Sequence, residues 1–234
     1  MNLYKRAKAI CAVVLAVSLA ACVQNHHRLQ ETLTRPAERD ARILVLPVDA
    51  ELFELSFGGA PTPRQDWTVA ARENMNAALR GFFEERKIAV AFHDGVVDDA
   101  QTAKLMRLHA AVGQSIRVHQ YDGPESLPTK KGKFEWTMGP AIRGLAPADA
   151  ADYVVLVHVR DSYSSGARVA AQVVAAAVFG VALHGGMQIG FASMVDLNTG
   201  DVVWFNRLLR GAGDLRTAEP AKETIAALLE GMPQ

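Results

Sequence analysis

The sequence predicts an α/β (α+β) domain: a mixed sheet of about five strands with helices packed on it. Three observations carry that expectation. Two unbroken apolar runs, Arg42-Ile-Leu-Val-Leu-Pro-Val48 and Tyr153-Val-Val-Leu-Val157, suit strands buried on both faces. A helical repeat separates the first run from another apolar stretch, Ile88 to Phe92. Strand, helix and strand in close succession make a βαβ unit, hence a parallel pair with a right-handed crossover. Finally, Gln188 to Leu197 and Val202 to Leu209 flank Asn198-Thr-Gly200. That is a hairpin turn with Gly200 supplying the left-handed position.

In chain order, the first element is an export signal. Lys5, Arg6 and Lys8 precede an apolar run from Ile10, which closes on Leu19-Ala20-Ala21-Cys22. A basic start, a short apolar core and small residues at a cut site define a secretory leader. The 12 residues from Ile10 to Ala21 are too few to span a bilayer, which takes about 20. Leu-Ala-Ala-Cys resembles the lipobox of bacterial lipoproteins. The resemblance implies cleavage between Ala21 and Cys22, a diacylglycerol thioether on Cys22 and acylation of the new amino terminus. Two or more acyl chains give stable anchoring where one does not. In enteric lipoproteins an aspartate after the cysteine resembles an inner-membrane retention signal, so Val23 points to the outer membrane, with the domain in the periplasm.

Cleavage removes residues 1–21 and leaves 213, enough for one domain with a real core. Apolar residues make up 50% of the chain, which excludes a disordered protein. Without Lys5, Arg6 and Lys8, 22 basic residues face 25 acidic ones, a net charge of −3. A nucleic-acid partner is not expected on that balance. Cys11 leaves with the signal and Cys22 carries lipid, so the folded part has no disulfide and depends on buried apolar surface. No cofactor is expected beyond the covalent lipid on Cys22.

Residues 22–40 read as the lipidated cysteine and a flexible tether. The stretch is polar, carries His26, His27 and Pro36, and shows neither strand nor helix period. A coil of that length has ends about 20–25 Å apart. His26 and His27 have no carboxylate or cysteine at ligand spacing and read as solvated linker. The domain is expected over 41–234. Pro47 cannot donate to a ladder, so pairing on its side should end there. Asp49 to Gln65 reads as a long loop containing Gly58-Gly59, Pro61 and Pro63. Asp66 stands at an N-cap position, and Ala71, Met75, Ala78, Leu79 and Phe82 repeat at helical spacing as far as Arg86. Asp98 to Val118 reads as a second helix with Leu105, Leu108, Val112 and Ile116 on one face, Gly113 being a misfit within it.

Gly123 to Phe134 is a loop carrying Lys130, Lys131 and Lys133. Without interleaved aromatics or a helix end it reads as a solvated tip rather than an anion site. Trp136 to Leu145 fits a short helix or an ordered loop. The strand at Tyr153 runs on through His158 and Asp161 into Ser162-Tyr-Ser-Ser-Gly166. Val169 to Leu183 is nearly all alanine, valine and small residues. It reads as a buried helix whose alanines allow close approach to the sheet, with packing against other copies or lipid as the alternative. A last helix opens at Thr217 or Glu219, shows Ile225, Leu228 and Leu229 on its apolar face, and stops at Gly231 and Pro233.

Taken together, the lipobox, the Ile-Leu-Val-Leu-Pro strand, the Ala-Asp-Tyr-Val-Val strand and Val-Asp-Leu-Asn-Thr-Gly-Asp-Val-Val-Trp204 resemble a group of bacterial lipoproteins. Their α/β domain is similar to the amino-terminal domain of TolB. It is also similar to the core of the curli-secretion channel lipoprotein and to the lipoprotein activators of penicillin-binding proteins. The resemblance covers roughly 41–229, and the hairpin with Asp196, Thr199, Gly200 and Trp204 is its most recognisable piece. It implies a domain that performs no chemistry but binds envelope partners or assembles. Fold alone does not fix which.

The residues themselves offer no convincing catalytic site. Gly185-Gly186 and Gly211/Gly213 lack the spacing and lysine of a phosphate cradle. His-Glu-x-x-His and Cys-x-x-Cys pairs are missing, as is a Gly-x-Ser-x-Gly elbow. His158, Asp161 and Ser162 or Ser164 invite a hydrolase reading, but strand alternation puts His158 and Asp161 on opposite faces. Asp161, Tyr163 and Ser164 form a candidate partner contact, past the carboxyl end of a central strand. The plainer reading there is an Asp/Ser turn capping the next helix. The expected function is therefore a lipid-anchored outer-membrane protein whose domain is a non-catalytic binding or assembly module. The alternative is a subunit of an oligomeric secretion apparatus resembling the curli channel.

Overall fold

A computed structural model gives the fold and describes residues 24–29, 41–93, 100–121, 126–145, 150–179, 186–211 and 213–233. The leader, the cut site at Ala21 and Cys22, and residues 30–40 lie outside the described residues. Eight strands and four helices are present among those described. The strands are β1 (Gln24–Leu29), β2 (Ile43–Val45), β3 (Asp49–Leu55), β4 (Pro61–Pro63), β5 (Val90–Phe92), β6 (Tyr153–Ser164), β7 (Gln188–Asp196) and β8 (Val202–Arg210). The helices are α1 (Gln65–Glu85), α2 (Ala100–His119), α3 (Gly166–Phe179) and α4 (Ala218–Leu228), with 3-10 turns at Pro128–Lys130 and Pro140–Leu145.

The mixed α/β class is as the sequence predicts. Sheet order is β1-β8-β7-β6-β2-β5. β2 pairs in parallel with both β5 and β6, whereas β6–β7, β7–β8 and β1–β8 are antiparallel. β6 is the hinge of the pattern because its run is apolar on both faces. Tyr153, Val155, Val157 and Val159 pack towards α1 and α4. Val154 and Leu156 pack on the other face, with Leu105 and Ile116 of α2 and Ile142 of the second 3-10 turn. Two cores thus sandwich one sheet, which accounts for the long unbroken run.

Two stretches differ from expectation in the same way. Asp49 to Gln65 is not a loop: β3 runs parallel beside β6 and β4 folds back on it. Its Asp-Ala-Glu-Leu alternation buries Ala50 and Leu52 while the acids point outward. Gln24–Leu29, inside the expected tether, forms β1 along the outer edge of β8. Backbone groups on an open strand edge need partners whatever the side chains are, and a polar segment can supply them. β2 and β3 together make one bent strand. Val45 pairs with Val155 and Asp49 with His158, so one extra residue is accommodated at the Pro47 bend. Pairing with β5 ends there, as the proline requires.

The remaining elements follow their sequence signals closely. α1 buries Ala71, Met75, Ala78, Leu79 and Phe82, and its cap position falls on Arg64 rather than Asp66. Asp66 instead sits in the first turn and pairs with Arg64 at 2.8 Å. α2 buries Leu105 and Ile116 of the expected face together with His109 and Gly113, whereas Leu108 is exposed and Val112 only partly buried, so the buried stripe is rotated from the one expected. Gly113 fits because a Cβ there would lie 2.1 Å from the Phe191 ring. Trp136 to Leu145 is both ordered loop and 3-10 turn, joined to the hairpin through a Thr137–Asp201 bridge. Gly200 has φ +84°, as the turn needs. The clear correction is α3. None of its residues 166–175 is buried, so it is not a core helix. Residues 180–183 of the same expected helix lie outside the described residues.

Candidate functional site

The predicted contact residues gather at the end of the sheet where β6 finishes. Asp161 pairs across β7 with Gln188, and Asp161 and Tyr163 share a face by strand alternation. Asp161 is buried, with both oxygens engaged. Its Oδ2 accepts from the Tyr163 hydroxyl (2.5 Å) and from Gln188 Nε2 (2.8 Å), and its Oδ1 accepts from the Ser162 amide (2.7 Å). Tyr163 in turn accepts from the Leu215 amide at 2.9 Å. Thr224 donates to Gln188 Oε1 at 2.9 Å, and Arg210 reaches Thr224 and Glu223. The chain of bonds links β6, β7, β8 and α4.

Burial pushes the Asp161 carboxyl up, against the lowering effect of its three hydrogen bonds. Burial and the neighbouring Asp161 also raise the Tyr163 hydroxyl, so it stays a donor. Outside this network lies an open cleft of about 270 Å³, lined by Ser162, Ser164, Val169, Gln172, Met187 and Arg216 among others. Ser164 accepts from Gln172 Nε2 at 3.3 Å. Asp161 therefore holds the cleft's wall, while Ser164 and part of Tyr163 form its surface.

The hydrolase reading finds no geometry here. His158 faces away from Asp161 and bonds through Nδ1 to Asp49 Oδ2 (2.9 Å), stacked on Phe191 with centroids 4.6 Å apart. A different histidine meets a serine: His109 Nε2 lies 2.9 Å from Ser193 Oγ. Both are sealed inside the second core, at 3% and 1% exposure, where no substrate reaches them. Burial, helped by His158, lowers the His109 pKa to about 3 and keeps the ring neutral. His109 stands where its helix would place a core residue, and its pairing with Ser193 is not legible across 84 residues of sequence.

A second cleft, of about 340 Å³, opens at the Pro47 bend between α1 and α2. These helices cover opposite faces of the sheet. β2 connects outward to β5, and the chain then returns past β2 to β6. The cleft thus sits beyond the carboxyl end of β2 at the topological switch point, the usual ligand position in open α/β sheets. Asp49 stands at its floor. Burial alone would raise this carboxyl, but His158 and Arg160 hold it well below the usual range. Among the described residues no group of histidine, cysteine and acid side chains is arranged to hold a metal ion.

No protein-family model matches the chain, and no curated protein matches it. Among solved structures the chain is similar to the PelC dodecamer from Paraburkholderia phytofirmans. Identity is 13% over 89% of this chain and 95% of that one, with a TM-score of 0.40. A variant of the same dodecamer in another crystal form is 15% identical over 89% and 96% of the two chains, again with a TM-score of 0.40.

Proposed function

We propose that this chain is a cell-envelope lipoprotein, anchored through acyl chains on Cys22 to the outer membrane, whose α/β domain works by binding rather than by catalysis. The observation that carries the reading is the apolar end of the sheet. Val169, Val173 and Val174 of α3 are 47%, 63% and 58% exposed, and Phe57 and Met187 are exposed as well. Phe57, Val169 and Met187 are joined at this end. Arg168 donates to the Phe57 carbonyl at 3.2 Å, and Val169 and Met187 line the same cleft as Ser164. Apolar residues left unburied over 166–175 favour a partner that covers them.

The start of β1 lies at this same end of the sheet. Gln24 pairs with Leu209, and Cys22 comes two residues earlier in the sequence, which supports an attachment near this end. The contact is read as an apolar surface of another envelope protein, with Ser164 and Tyr163 at its polar rim. No helix among the described residues is long and apolar enough to cross a membrane.

A second reading, a subunit of an oligomeric secretion apparatus, is favoured by one feature of α3. Its exposed valines spread over about 140° of the helix surface. That arc is wide for one flat contact and suits a helix held between two copies. Photocrosslinking from position 173 in living cells separates the outcomes. Capture of one distinct envelope protein supports the first reading, and a ladder at multiples of the chain's own mass supports the second. Crosslinks to lipid alone, with no protein, contradict both.

A further inference from the structure

The Pro47 cleft has a lining whose hydrogen-bonding capacity is nearly all of one kind. Arg72 donates through Nε to the Ala50 carbonyl at 2.9 Å, which holds its guanidinium against the bent strand. Its two Nη groups have no acceptor among the described residues. The side-chain oxygen of Asn76 accepts from the Val48 amide at 2.9 Å, which leaves its NH₂ to donate. Arg107, across on α2, has neither an ion pair nor a hydrogen bond among the described residues, yet it lines the same space.

The one acid of the lining, Asp49, is already used. Arg160 reaches its two oxygens at 3.0 and 3.3 Å, and His158 takes the second at 2.9 Å. Among the described residues, three guanidinium groups therefore share the cleft with a single, fully engaged carboxylate. The remaining wall is apolar, from Pro47, Val48, Ala103 and Met106. Among the described residues, the side chains of this cleft that are not already engaged offer donors, two of them on arginine forks, and such a lining is complementary to an oxyanion. At about 340 Å³ it lies at the small end of ligand pockets. The volume suits a compact molecule rather than a polymer or a protein segment.

We propose that this cleft binds a small organic anion. Arg107, Arg72 and Asn76 grip its carboxylate or phosphate, and its apolar part rests on Met106 and Ala103. The site is separate from the apolar end that carries the proposed anchoring and partner contact, and neither reading depends on the other.

Calorimetric titration of the mature lipidated protein in detergent, at low salt, tests the inference with two probes. Sodium pyrophosphate represents the phosphate class and glutarate the carboxylate class. Saturable one-to-one binding of either supports the proposal and names the class. Arg107→Gln then weakens that binding by about tenfold or more. Ala103→Trp, which fills the space, abolishes it, and Lys133→Gln in the distant basic loop leaves it unchanged. Arg107 is exposed and has no partner among the described residues, so thermal unfolding of Arg107→Gln should match the parent and confirm that the variant is folded. Absence of saturable heat with both probes overturns the inference, as does an Arg107→Gln protein that binds as tightly as the parent.

Discussion

His109 places its imidazole in the second core, with Ser193 on one nitrogen and Phe191 edge-on at 5.3 Å. Burial, with a smaller push from His158, lowers its pKa from 6.5 to about 3. The folded value is depressed, so below pH 6.5 the unfolded chain takes up a proton that the native chain refuses. Stability is thus lost as pH falls from about 6.5 towards 3, by about 2 kcal/mol at pH 5 from this group. His109→Gln should remove that slope. Urea unfolding of both proteins at pH 7.5 and pH 5 reads the difference, and equal slopes would show that His109 is not the group responsible. Asp49 does not contribute between pH 7.5 and 5, because a carboxyl held below its ordinary value loses its stabilisation only as pH falls below about 4. Gly113 gives a second test at this scale. Phe191 is stacked between His158 and Phe205 at 4.6 and 5.5 Å, so its ring cannot retreat from a new methyl group. Gly113→Ala should cost about 1–3 kcal/mol of stability, measured as a lowered denaturation midpoint.

Among the elements, α3 has an apolar composition and an exposed position that disagree. Val174 is 58% exposed, so Val174→Glu should leave stability within about 0.5 kcal/mol, with position 173 free for the crosslinker. The same change should abolish capture of the partner in cells, and a variant that still captures it would remove α3 from the contact. The sequence made α3 legible as a helix but not as an exposed one. Its alanines and valines have the composition of a core segment, and burial depends on what else is nearby. β6, α1, the Gly200 hairpin and α4 were legible because each has a clean period or a turn residue with one role. β3 was missed because Glu51 and Glu54 mask a two-residue alternation. β1 was missed because edge pairing is a backbone affair that side-chain pattern does not record. The candidate site was half legible. Asp161, Tyr163 and Ser164 do meet at one end of β6, but the Pro47 cleft joins Asn76, Arg107 and Arg160 through topology alone. The rule that ligands sit past the carboxyl end of a parallel strand pointed to β6 from the sequence. The pairing of β3 along β6 moves the switch point to β2.

At the scale of the molecule, the sheet has two unlike regions. One end gathers the exposed valines, Phe57, Met187 and the start of β1, close to where an anchor on Cys22 would attach. The flank at Pro47 carries the arginine-lined cleft between two helices. On this account the protein is held at its apolar end and leaves its cleft open to small solutes. The anchoring and the partner contact both depend on the attachment at Cys22. Intact-mass spectrometry of protein extracted from membranes tests it most directly. The account predicts a chain that lacks residues 1–21 and carries acyl mass on its first residue, Cys22. A chain that retains the leader, or whose Cys22 bears no added mass, would contradict it.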